Sequence, residues 1–312
     1  MDISLIDLTP CFDSDRAARE RLAVEVDRAC RDTGFLVVTG HRVDPSLLDA
    51  LRRDALSFFD LPADRKHACE AVPGSDFAGY VRSEALSYSR GDASPPDLKE
   101  SYTVHPPGRP GRVNPTPWPV DVPTFERTLT DYFAVMEALA ARVMRVFALA
   151  LSLDEQHFDP VIDQSLSAVR MLHYPPLDAP PEPGQLRAGA HTDFGSLTLL
   201  LTDDAPGGLQ VLAGERWIDV PHVPGSFVVN IGDLMAQWTN DRWVSTLHRV
   251  VPPPVGPGTR RLSVAFFHQP NDDALIETLP TCREPGVPDR YPPVRSGDHL
   301  RLKVRRQRDM RV

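Results

Sequence analysis

The stretch RAGAHTDFGSLTLLL, residues 187–201, sets a histidine and an aspartate two positions apart at the head of an apolar run ending in three leucines. Read as one buried strand, positions i and i+2 point the same way, so His191 and Asp193 project together and Thr192 opposes them. Two polar groups side by side on a core face are costly unless something binds them. A metal ion would bind them. One imidazole and one carboxylate are two corners of a site that, with a second histidine, leaves coordination positions open for other molecules. His248, in STLHRVV (245–251), lies in a later strand candidate and is the natural third ligand.

The segments around this stretch have the same character. SAVRMLHY (167–174), GLQVLA (208–213), RWIDVP (216–221), SFVVNIG (226–232) and RRLSVAFFH (260–268) are short strand candidates separated by Pro- and Gly-rich turns. Many short strands at regular spacing predict a sandwich, barrel or jelly roll. Upstream the pattern differs. ISLIDL (3–8) and FLVVTG (35–40) alternate with two amphipathic helix candidates, the first with Leu22, Val26, Ala29 and Cys30 on one face and Gly34 placed to end it. Residues 73–122 are rich in Gly, Pro and Ser, and a loop of that length in a compact chain is commonly functional. Thr124 to Leu151 is the longest helix candidate, its apolar residues recurring every three or four positions.

A second pair of polar residues lies in RRLSVAFFH. Alternation puts Arg261, Ser263, Ala265 and Phe267 on one face and Leu262, Val264 and Phe266 on the other. An arginine and a serine aimed into an apolar barrel need a partner. The guanidinium fork suits a carboxylate, and the hydroxyl adds another donor. An internal ion pair with an acidic residue such as Asp233 is the structural alternative. QHFDP (156–160) repeats the His-x-Asp spacing with His157 and Asp159, but it runs into Pro160 after the long helix and reads as a solvated loop. His41, His173, His222 and His299 read as core or surface residues.

Composition narrows the functional classes. A net charge of −9 argues against nucleic acid or an anionic membrane as partner. The four cysteines are scattered, without a CxxC pair, which disfavours a disulfide scaffold or zinc ribbon. No long apolar span or signal peptide is evident, so a cytoplasmic location is expected. Only Lys66, Lys99 and Lys303 are lysines, and with 32 prolines the chain reads as the product of a GC-rich bacterial genome.

HTD (191–193), LHR (247–249) and RLS (261–263), in that order, resemble the non-haem iron(II)/2-oxoglutarate-dependent dioxygenases, and within them the isopenicillin N synthase-like group. ISLIDL, DTGFLVVTGHRV, FFDLPADRK, DLKESY, GGLQV and NIGD resemble further stretches of that group, so the likeness spans nearly the whole chain. Leu172 replaces an asparagine frequent in plant members, and TGHRV departs from their usual NHG segment. The resemblance implies a mainly β fold with helices. Its core would be a double-stranded β-helix (jelly roll) over 165–272, preceded by an α/β region with a lid-like loop (1–122) and a packing helix (123–152). A segment over 273–312 would cover the site.

The same resemblance implies His191, Asp193 and His248 as iron ligands. Arg261 and Ser263 would hold the distal carboxylate of 2-oxoglutarate, with Tyr174 adding a phenol hydrogen bond. Iron(II), 2-oxoglutarate and dioxygen would together oxidise a C–H bond of a small organic molecule, in bacterial specialised metabolism, by hydroxylation, desaturation or ring closure. Phe267, Tyr102, His105 and Arg90 are the candidate substrate contacts. Two alternatives stay open: an oxidase of the same family that needs no 2-oxoglutarate, and a jelly roll holding zinc without oxidative chemistry. The oligomeric state is not legible.

Overall fold

The computed structural model describes residues 2–70, 78–82, 95–105, 116–203, 208–255 and 260–309. In chain order the strands are β1 (Ser4–Asp7), β2 (Phe35–Thr39), β3 (Gly79–Val81), β4 (Glu100–Val104), β5 (Ala168–Tyr174), β6 (Ala188–His191), β7 (Leu197–Thr202), β8 (Leu209–Ala213), β9 (Arg216–Asp219), β10 (Phe227–Ile231), β11 (His248–Val250), β12 (Arg261–His268), β13 (Leu275–Ile276) and β14 (Val294–Arg295). The helices are α1 (Arg16–Asp32), α2 (Pro45–Phe59), α3 (Ala63–His67), α4 (Phe125–Ala150), α5 (Asp233–Trp238) and α6 (Ser296–Asp309). Eight strands form the main sheet in the order β1-β2-β10-β7-β12-β5-β4-β3, and β6-β11-β8-β9 form a smaller one. This is the mainly β jelly-roll architecture with helices that the sequence predicts. No helix among the described residues is long and apolar enough to cross a membrane.

Alternation along β12 explains how the layers stack. Leu262, Val264 and Phe266 face the helices, where Phe266 meets Phe133 of α4 with ring centroids 5.3 Å apart. Ala265 belongs instead to an inner cluster with Phe35, Leu172, Tyr174, Val211 and Val250 between the two sheets. The helix layer therefore covers the outer face of the main sheet and leaves the inner face for a site. Local signals set the helix ends. Asp15 and Asp44 accept backbone N–H bonds from Ala17 and Ser46 at the starts of α1 and α2, and Pro45 opens α2. Gly34 follows α1 at φ +67°, and a Cβ there would lie 2.1 Å from the Val244 carbonyl oxygen. Only glycine fits that turn.

The structure corrects three expectations. The 187–201 stretch is not one strand: β6 ends at His191, β7 begins at Leu197, and the two belong to different sheets. The turn between them holds Gly195, whose Cβ would fall 2.3 Å from the His268 carbonyl oxygen, so the chain crosses there hard against the end of β12. Second, the irregular 73–122 segment contains β3 and β4, and β4 pairs along its length with β5. Third, β1 and β2 extend the main sheet, with β2 paired to β10, so the N-terminal region does not stand apart from the jelly roll.

A half-buried acid pins the opposite edge of the main sheet, where β4 lies. Glu100 on β4 accepts bonds from Lys66 Nζ (2.7 Å), Tyr80 OH (2.5 Å) and His173 Nδ1 (2.7 Å). His173 Nε2 in turn accepts from Arg260 Nε at 2.9 Å. Burial opposes ionisation of Glu100, but the bonds from His173, Lys66 and Tyr80 win and bring its pKa down to about 2 from the usual 4.5. A depressed carboxyl pKa stabilises the fold above the unfolded-state value, and that contribution is lost as pH falls from 4.5 toward 2. Urea unfolding of Glu100→Gln should show a deficit on the order of 3 kcal/mol at pH 7 that closes over this window. A deficit independent of pH would refute the assignment.

Candidate metal centre

His191, the last residue of β6, pairs directly with His248, the first of β11, so hydrogen bonding across the small sheet sets the two imidazoles side by side. Their ring centroids are 4.2 Å apart. Asp193 reaches the same point from the turn. Its Oδ1 lies 3.9 Å from His191 Nε2 and 3.8 Å from His248 Nε2. One ligand atom from each of the three side chains lies within 4.8 Å of the others, the only such group of three or more potential metal-binding side chains among the described residues.

Hydrogen bonds around the cluster fix which atoms face its centre. His191 Nδ1 lies 2.7 Å from the Gly189 carbonyl oxygen, and His248 Nδ1 lies 3.1 Å from that of Thr246. A carbonyl only accepts, so both Nδ1 atoms carry hydrogen and both neutral imidazoles turn an Nε2 lone pair inward. Burial, reinforced by neighbouring His248, lowers the His191 pKa to about 3, against the pull of Asp193. Asp193 Oδ2 accepts from Thr198 Oγ1 (2.6 Å) and Asn230 Nδ2 (2.7 Å), which leaves Oδ1 toward the histidines. Burial opposes the charge on Asp193, yet the imidazoles and these two bonds hold its carboxyl below the usual range. Two lone pairs and an anionic oxygen therefore converge with no proton between them. That arrangement fits a divalent cation with two nitrogens and one oxygen and suits iron(II).

The adjoining cavity runs along the inner face of the main sheet. Arg261, buried and opposite Tyr174 across the β12–β5 ladder, sits at one end. Its Nη1 approaches Ser263 Oγ at 3.5 Å, and its guanidinium lies 5.0 Å from the Tyr174 ring centroid. The Asp233 alternative fails, because Asp233 accepts from Lys303 Nζ and Ser245 Oγ. The carboxylate that approaches Arg261 is Asp203, at 4.0 Å from Nε.

Of the candidate substrate contacts, His105 and Phe267 line the cavity. Tyr102 does not. It alternates to the opposite face of β4 from Thr103, packs on Phe58 and Phe125, and donates its hydroxyl to the Pro117 carbonyl. Arg90 lies outside the described residues.

Sequence reasoning missed several site residues. Asn230 and Thr198 are read in the sequence only as strand positions, yet they orient Asp193. Arg187 is fully buried before β6, with its guanidinium 5.6 Å from the Tyr174 ring centroid. Lys99 and Asp97, 3.3 Å apart and buried, border the metal cluster, and Asp97 accepts the Gly189 N–H at 2.9 Å. DLKESY holds both residues, but no periodicity marks them as inward.

Residues 165–270 match the family described as the 2OG-Fe(II) oxygenase superfamily, and residues 3–123 match the N-terminal family described as non-haem dioxygenase in morphine synthesis. The chain is 37% identical to the 2-oxoglutarate-Fe(II) type oxidoreductase hxnY of Emericella nidulans, covering 95% of this chain and 88% of that one. It is 31% identical to validamycin A dioxygenase of Streptomyces hygroscopicus subsp. limoneus, over 96% and 85% of the two chains. A full-length Neurospora crassa protein crystallised in complex with alpha-KG superposes with a TM-score of 0.89 at 32% identity, covering 97% of this chain and 96% of that one. With the jelly roll, the convergent triad and this likeness along its length, the chain belongs to the iron(II)- and 2-oxoglutarate-dependent oxygenases, enzymes that use dioxygen to oxidise small molecules.

Proposed function

We propose that His191, Asp193 and His248 are the iron ligands and that Arg261, Ser263 and Tyr174 anchor the distal carboxylate of 2-oxoglutarate. The reaction is oxidation of one C–H bond of a small organic molecule. The observation that carries this reading is the pair of inward lone pairs beside the Asp193 oxygen, at one end of a cavity whose other end holds a buried guanidinium. Bound iron with 2-oxoglutarate and dioxygen would supply the oxidising power, 2-oxoglutarate leaving as succinate and carbon dioxide while two electrons are taken from the substrate by hydroxylation, desaturation or ring closure.

The chain's own residues bind, orient and exclude water. The Gly189 and Thr246 carbonyls fix the imidazole tautomers, while Thr198 and Asn230 keep one Asp193 oxygen engaged so that the other faces the ion. Arg261 presents a planar fork to a carboxylate, and Ser263 adds a neutral donor beside it. Leu172, Leu200 and Ala265 make the wall between the two ends apolar, which strengthens the charged contacts by excluding water. Leu300 and Val304 of α6 close the cavity from the C-terminal side.

The direct test is an anaerobic absorption spectrum of the protein with iron(II), before and after 2-oxoglutarate is added. A visible charge-transfer band that needs both additions is the expected result. Its absence with both present would refute the ligand assignment.

A further inference from the structure

We infer that the cavity wall formed by β4, β5 and the end of β12 is a substrate subsite for a cyclic amide, a ring that presents an N–H beside a carbonyl oxygen. This deepens the reading above and rests on it. In the sheet register Thr103, Arg170 and Ala265 lie in one row across β4, β5 and β12. Thr103 and Arg170 both line the cavity, on the same wall as Gln269 just past the end of β12. All three are more than nine-tenths buried. Gln269 Oε1 and Thr103 Oγ1 have no hydrogen-bond partner among the described residues.

Buried amide and hydroxyl groups in native folds are almost always bonded, so two on one cavity wall point to a ligand that completes them. Their chemistry limits what that ligand is. The Gln269 backbone is tied down, its N–H donating to Ser167 Oγ at 3.2 Å. Its amide tip lies against the turn after Asp193, where a Cβ on Gly195 would be 2.8 Å from Nε2. A group held there therefore sits close to the metal cluster. A primary amide offers one acceptor and two donors side by side.

A carboxylate would use the donors and leave Oε1 buried without a hydrogen. An –NH–CO– edge satisfies both ends at once, whichever way the side-chain amide is turned. Thr103 can donate to or accept from the next ring atom, and Arg170 gives that wall a positive charge suited to a second carbonyl oxygen. Phe267, one row beyond Ala265 and facing inward, supplies a flat apolar surface for the ring.

The test is binding of model ligands to the protein loaded anaerobically with iron(II) and 2-oxoglutarate. Calorimetry and perturbation of the charge-transfer band both report it. The probes are 2-pyridone, its N-methyl derivative, which lacks the N–H, and benzoate. We expect 2-pyridone to bind at least tenfold more tightly than N-methyl-2-pyridone, a difference of about 1.4 kcal/mol. Gln269→Leu, which keeps the bulk, should erase that difference while the charge-transfer band persists, and Thr103→Val should weaken 2-pyridone about threefold. Benzoate binding more tightly than 2-pyridone, or equal binding of the two pyridones to the wild type, would overturn the subsite. So would a charge-transfer band with no lactam binding, and the metal assignment would then still stand. Lactam selectivity that survives without any such band would instead refute the metal assignment and support the subsite.

Discussion

Alanine at any one of positions 191, 193 or 248 should abolish iron(II) binding and turnover. Removing a group that merely orients a metal ligand costs 10–100-fold in affinity, and removing one of only three protein ligands costs more than that. Each truncation also breaks the convergence of donors, because the remaining pair no longer encloses a point. The fold should survive. His191 ends one short strand and His248 begins another, their pairing is by backbone, and the bonds their rings make are to backbone carbonyls. His157→Ala is the matched control with the same His-x-Asp spacing. Its partner Asp159 is already engaged by Arg145, with bonds of 3.2 and 2.8 Å, and His157 packs edge-on against Phe158. Iron titration followed by circular dichroism separates the outcomes. Iron lost from the His157 variant and retained by the His248 variant would mean that the triad is misassigned.

Arg261→Ala should raise the 2-oxoglutarate concentration that half-saturates the charge-transfer band by about one and a half to three and a half decades. Truncating one partner of a buried charge-assisted pair costs roughly 2–5 kcal/mol, and 1.4 kcal/mol is tenfold. Ser263→Ala should do less, since it removes a neutral donor and leaves the guanidinium. Arg261→Lys should recover only part of the loss, because a point charge on a flexible stem cannot reproduce a two-pronged contact. Iron affinity without 2-oxoglutarate should stay constant across the series. Full turnover with no 2-oxoglutarate added and no succinate formed would mean that Arg261 binds a carboxylate of the substrate itself, as in the family's 2-oxoglutarate-independent oxidases.

What the sequence determined by itself follows from periodicity and side-chain chemistry. Period-two alternation in RRLSVAFFH separates the helix-facing Leu262, Val264 and Phe266 from the inward Arg261, Ser263 and Phe267, and the structure keeps that division. Apolar spacing over 124–151 gives the long helix to within a residue at each end. His191, Asp193 and His248 can be singled out because a histidine or carboxylate within an apolar strand pattern is costly without a partner. Tyr102 escapes correct placement for a related reason: inside a segment that reads as loop, no alternation says which face it takes.

Only the tertiary structure decided the rest. His191 and Asp193 converge not by sharing one strand face but because the chain crosses between sheets at Gly195, a turn enforced by the end of β12. Asn230, Thr198, Arg187, Arg170 and Gln269 carry no local signal, since their surroundings come from strands far away in sequence. The burial of a polar group is a property of all the chain that surrounds it. Hydrophobic periodicity reports which face of an element turns inward, but the partners it meets there are set by long-range pairing.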